Sequence, residues 1–118
     1  MSAPKKYSDI DFTPPKQVAQ NAEKALKLHD EFERGGTQVG YARARDLKNQ
    51  ESLSPDTIER MCDYFSRHET DKDADDFGNE DDPSAGYIAW LLWGGDEGRD
   101  WAEDIKTQMQ QADEKAAA

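Results

Sequence analysis

Polar residues dominate this chain, and its apolar positions fall into groups with helical spacing. From Pro15 to about Arg34, residues Val18, Ala22, Ala25, Leu26, His29 and Phe32 recur at three- and four-residue steps. That spacing predicts a helix with one apolar stripe. Pro15 suits its first turn, and Gly35-Gly36 is the expected stop. A second, shorter helix is predicted from Thr37 or Gln38 to about Lys48, carrying Val39, Tyr41, Ala42, Ala44 and Leu47. Ser54-Pro55-Asp56 then supplies an N-cap, a proline at the first helical position and an acid in the first turn. Ile58, Met61, Cys62 and Phe65 follow at i, i+3, i+4 and i+7, so a third helix should run to about His68.

The most apolar stretch is Ser84 to Asp96. Tyr87, Ile88, Trp90, Leu91, Leu92 and Trp93 would cover every side of a helix, which marks it as buried rather than superficial. Ser84 caps it, and Gly94-Gly95 stops it. A fifth helix should open at Asp96 or Glu97, with Trp101, Ile105 and Met109 facing inward. No internal repeat and no strand-like alternation is present.

The expected architecture is therefore all-α: a compact bundle of about five helices around the Trp-rich fourth, occupying residues 15–110. Its expected core includes Phe65, Tyr87, Ile88, Trp90, Leu91, Trp93 and Trp101. Residues 1–14, with Pro4 and Pro14, read as a flexible arm that Tyr7, Ile10 and Phe12 could pin to the body. Residues 111–118 lack an apolar stripe and read as a fraying tail.

Charge adds a constraint. The 118 residues hold 26 acids against 15 bases, a formal charge of −11. Such a field opposes general affinity for nucleic acid or anionic membrane and favours basic partners or cations. Eight of the acids lie between Glu69 and Asp82, beside a single base, Lys72. The lone cysteine, Cys62, allows no internal disulfide and fits a reducing compartment. No apolar run reaches membrane-spanning length, and the first residues lack the apolar core of a signal peptide. The expectation is a cytosolic protein with no membrane partner.

Candidate chemistry is sparse. Asp71, Asp73, Asp75, Asn79 and Asp82 fall at ligand positions of a calcium loop of the EF-hand type. Asp76 stands where that loop needs glycine, and Asp82 where it needs the longer glutamate. A solvated acidic loop that holds divalent cations loosely fits better. His68, Glu69 and Asp71 suggest a metal or acid–base group, but no His or Cys pair has ligand spacing. His68 fits better as a cation closing the third helix. Cys62 lies on an apolar face and reads as a small core residue. Gly94-Gly95-Asp96-Glu97-Gly98 resembles a phosphate-binding turn but lacks the lysine and the preceding strand, so it reads as a helix corner. No cofactor and no enzymatic activity are expected. Arg34, Arg43, Arg45 and Lys48 cluster within fifteen residues. They could form a patch that contacts phosphates or nucleic acid. The favoured reading is intramolecular, with pairing to the acidic loop, Asp46 or Glu51.

Three segments carry a resemblance: Gly35-Gly36-Thr37-Gln38-Val39-Gly40-Tyr41-Ala42-Arg43-Ala44-Arg45-Asp46-Leu47; Ser54 to Met61 leading to Tyr64-Phe65-Ser66-Arg67-His68-Glu69; and Pro83 to Asp96. Together, over about residues 35–101, they resemble a module recurring in proteins of tailed bacteriophages and prophages. There it stands alone or is appended to head-morphogenesis proteins such as prohead proteases. This chain departs from it near Tyr87, where members usually carry Arg or Lys, and in its acidic stretch Glu69–Asp82, where members have a shorter, more mixed loop. The resemblance implies a context rather than a reaction. The expected function is a non-enzymatic phage accessory protein acting by protein–protein contacts in the virion or its assembly, in the host cytoplasm during infection. The alternatives are a nucleic-acid-contacting module that uses Arg43 and Arg45, or an early phage protein that binds a basic host factor.

Overall fold

A computed structural model describes residues 5–69, 72, 78 and 81–117. It is all-α. Five α-helices follow a short 3-10 turn at Lys5–Tyr7, and the described residues contain no strand. The helices are α1 (Lys16–Phe32), α2 (Gln38–Lys48), α3 (Pro55–His68), α4 (Ala85–Leu92) and α5 (Gly95–Ala117).

Three of the helix starts are fixed by side chains. The hydroxyl oxygens of Thr37, Ser54 and Ser84 accept hydrogen bonds from the backbone N–H groups of Gly40, Thr57 and Tyr87. Each satisfies one of the amides that a helix leaves unpaired in its first turn. Pro55 adds its preset backbone angle at the start of α3.

Helix α1 ends earlier and differently than the glycines suggested. Glu33, not Gly35, takes the left-handed conformation at the helix end, and its N–H donates to the carbonyl of His29. Gly35 and Gly36 follow with φ of 82° and 79°, and the close packing of Gly35 also needs glycine. A Cβ on Gly35 would lie 2.8 Å from both the Ala85 carbonyl oxygen and the Ile88 Cβ. Only a residue without a side chain lets this loop approach α4 so closely.

Helix α4 sits among α1, α2 and α5, while α3 packs along α5. Ile88, Trp90, Leu91, Leu92 and Trp93 are all buried. Tyr87 and Trp101 are half-buried and pack against the same core. Aromatic contacts tie α4 to α3: Phe65 meets Trp90 edge to face at 4.8 Å, and Tyr64 stacks on Trp93. Ile58, Met61 and Phe65 form the buried face of α3 as expected, with Cys62 half-buried at its margin.

The described residues near both ends pack against the body. Tyr7 and Phe12 are buried, and the Phe12 carbonyl accepts a hydrogen bond from the N–H of Leu53. Helix α5 continues to Ala117. Ala112 packs against the core, and Asp113 accepts a hydrogen bond from the Tyr7 hydroxyl at 2.7 Å and an ion pair from Lys6 at 2.8 Å. The arm thus supplies the tertiary contacts that a polar helix end needs, since propensity alone holds such a segment weakly.

Candidate functional site

Helix α2 buries Gly40, Arg43, Ala44 and Leu47, which follow at i, i+3, i+4 and i+7. That register leaves Val39 outside. It is 54% exposed, the one large apolar side chain so exposed among the described residues. Val39 lies on the wall of a groove of about 560 Å³ bounded by three elements. The first turn of α2 and the residues before it contribute Gly36, Thr37 and Val39. Helix α3 contributes Arg60, Asp63, Tyr64, Arg67 and His68. Ala85, Gly86 and Ala89 of α4, with Trp93, complete it.

A row of rings underlies the groove. Tyr64 and Trp93 stack with centroids 4.6 Å apart and planes 8° from parallel. His68 stacks on Tyr64 at 4.5 Å. The Arg43 guanidinium lies over Trp93 at 5.6 Å. This geometry gives cation–π attraction in a desolvated setting. It also explains why an arginine is tolerated inside. Arg43 is only 9% exposed, with Nη1 3.3 Å from the Asp46 carboxylate. Burial pulls its pKa below the usual arginine value, against the opposing pull of Asp46.

The groove is the chain's opposite in charge. Arg60 and Arg67 stand on the α3 wall and have no carboxylate partner among the described residues; Arg67 donates only to the Asp63 carbonyl at 3.4 Å. The first turns of α2 and α4 also line the groove, and helix starts carry partial positive charge. Asp63 is the single acid among the described residues that line it.

The four clustered bases have different surroundings. Arg34 bonds to Asp82 at 2.6 Å and to the Pro83 carbonyl at 3.0 Å. Arg43 is buried. Arg45 lies over the Tyr41 ring at 5.2 Å, and Lys48 is exposed. One acid of the 69–82 stretch is thereby engaged. Of the calcium-loop candidates, Asp71, Asp73, Asp75 and Asn79 lie outside the described residues. Asp82 is the partner of Arg34. Among the described residues no group of three His, Cys, Asp or Glu side chains is placed to hold a metal ion.

The Gly94–Gly98 turn is a corner between α4 and α5. Asn21 donates to the Gly94 carbonyl at 2.7 Å and to Glu97 at 2.6 Å, locking α1 to this corner. Asp96 accepts from both the Trp90 indole N–H and the Lys72 ammonium, each at 2.9 Å. Burial works to raise its pKa, but those two donors and the Lys72 charge outweigh it and hold the carboxyl below its ordinary value. The Cys62 thiol is pushed up by burial, which suppresses the thiolate.

Reasoning from the sequence did not find the groove. Its cue was the register of α2, which fits Gly40, Arg43, Ala44 and Leu47 better than a face containing Val39. A second cue was the seven-residue spacing of Arg60 and Arg67, which puts them on one side of α3. No helix among the described residues is long and apolar enough to cross a membrane. Compared with protein-family models, curated proteins and solved structures, the chain matches none of them.

Proposed function

We propose that this protein is a non-enzymatic bacteriophage accessory protein that works by binding another protein through the Val39 groove. The observation that carries the binding role is the groove itself: an exposed valine and stacked aromatic rings beside two arginines with no carboxylate partner among the described residues. Exposed apolar surface rimmed by polar groups is a common mark of a protein contact. Its size falls in the range that takes a few anchoring side chains, roughly 300–1,000 Å³. The phage setting rests on the three sequence segments that resemble the phage module. The partner is a phage structural protein or a host protein met in the infected cell's cytoplasm.

Burial of Arg43 weighs against nucleic-acid contact, because that reading relied on Arg43 and Arg45 as a pair. Mass spectrometry of purified virions and assembly intermediates tests the virion role. The protein is expected in at least one of these, and consistent absence from all of them would remove that role.

A further inference from the structure

We infer that the Val39 groove takes an acidic amphipathic segment of its partner, with apolar side chains on the floor and carboxylates against Arg60 and Arg67. This rests on the reading of the groove as a protein contact and adds the chemistry of what enters it.

Three observations point to carboxylates. In a chain of charge −11, three of the six arginines have an acid: Arg34 has Asp82, Arg43 has Asp46, and Arg99 has Glu69 and Asp100; Arg45 lies over the Tyr41 ring instead. Arg60 and Arg67 have none among the described residues, and both stand on the groove wall. The same groove is lined by the first turns of α2 and α4, whose amide ends favour negative charge. A basic segment would meet two arginines that have no ion-pair partner among the described residues, an arrangement that discriminates against it.

The spacing constrains the ligand further. Seven residues of helix place Arg60 and Arg67 about 10 Å apart along α3. A helical segment with two acids two turns apart matches them. Apolar residues between those acids would fall on Val39, Ala89 and the Tyr64–Trp93 stack. The net charge of the whole chain opposes an acidic partner at long range. That repulsion is screened beyond roughly 8 Å at physiological salt, whereas contacts inside the groove are not.

The test uses the full chain and a labelled synthetic peptide of roughly twelve residues, with two glutamates about two helical turns apart and two leucines between them. A lysine-for-glutamate peptide and a serine-for-leucine peptide serve as controls. Binding is followed by fluorescence anisotropy at physiological salt, and the site by amide NMR shifts. The glutamate peptide should bind at least about tenfold tighter than either control, with shifts centred on Val39, Tyr64 and Ala89. The double variant Arg60→Glu with Arg67→Glu should reverse the preference in favour of the lysine peptide. Both side chains are exposed on α3, and an unchanged melting curve would verify that the variant folds.

Equal binding of the two charged peptides, an unreversed preference in a folded variant, or failure of the glutamate peptide to bind would overturn the inference. The groove's broader role is read separately, by whether Val39→Asp protein drops out of the assembled particle or complex. Loss there without peptide binding would refute the acidic segment and leave the groove as a contact.

Discussion

The Tyr64 and Trp93 rings lie 4.6 Å apart and nearly parallel, joining the middle of α3 to the end of α4. The pair serves two purposes. Each residue is more than nine-tenths buried, so the stack is part of the core. Both also line the groove, so the core surfaces there. A binding surface built on packed aromatics is rigid, and a rigid surface loses little entropy when it is occupied.

Trp90 should be the most costly aromatic to remove. It is 1% exposed, meets Phe65 edge to face and donates to Asp96. Trp90→Ala should cost roughly 3–5 kcal/mol and abolish a cooperative melt. Trp90→Phe keeps a ring but loses the indole donor, at about 1–2 kcal/mol. Urea unfolding of both variants checks the order, and a Trp90→Ala protein that melts like the parent would contradict the packing.

Gly98 offers a test with an unusual sign. Glycine inside a helix is ordinarily worth replacing, since alanine gains about 0.5–1 kcal/mol. Here a Cβ would lie 2.8 Å from the Trp93 carbonyl oxygen, which is backbone and cannot swing away. Gly98→Ala should therefore destabilise the protein, by about 1–3 kcal/mol. A rise in melting temperature would show that the corner is looser than described.

Asp96 should impose a measurable acid limb on stability. Its folded pKa is lowered, so the folded state binds this proton less readily than the unfolded chain. The stabilisation is complete at neutral pH. It begins to fade as pH falls toward the ordinary aspartate value of about 4 and is lost below the lowered value. Half exposure of the side chain keeps the effect modest, about 1 kcal/mol or less. Comparing Asp96→Asn with the parent in denaturant melts between neutral and acid pH isolates it. The variant's stability should vary less with pH, and parallel curves would exclude a lowered pKa.

Val39→Asp should separate binding from folding. The side chain touches little of the core, so stability should change by no more than about 0.5 kcal/mol. Capture of the proposed protein partner, by contrast, should fall at least about tenfold, as read by co-purification. A variant that co-purifies as well as the parent would place the contact elsewhere.

Asp113→Ala should loosen both ends together. Hydrogen exchange should accelerate in the last two turns of α5 and around Tyr7, with little change at Ile58 or Leu92. Exchange confined to one of the two ends would mean that they are held independently.

The helices were legible because their signals are local. Ser54-Pro55 and Ser84 announce helix starts without reference to anything distant, and the Ile58–Met61–Phe65 spacing marks its own face. What was not legible depends on neighbours far along the chain. Gly35 looked like a helix stop because glycine often is one, yet its space is limited by Ala85 and Ile88. Arg43 looked like a surface base, yet Trp93, fifty residues later, supplies the ring that makes its burial tolerable. The groove needed three elements that no single stretch contains. Tyr7 and Asp113 stand 106 positions apart, and neither carries a sign of the other.

That last pair has a kinetic meaning. The cost of closing a loop grows with the length enclosed, and the Tyr7–Asp113 contact encloses nearly the whole chain. It becomes favourable only once α5 already lies in place against α3, which shortens the effective path. Docking of residues 5–12 should therefore be among the final steps of folding and among the first to reverse. An unfolding molecule would open like a ring at its clasp, shedding the N-terminal arm while the aromatic junction between α3 and α4 still holds.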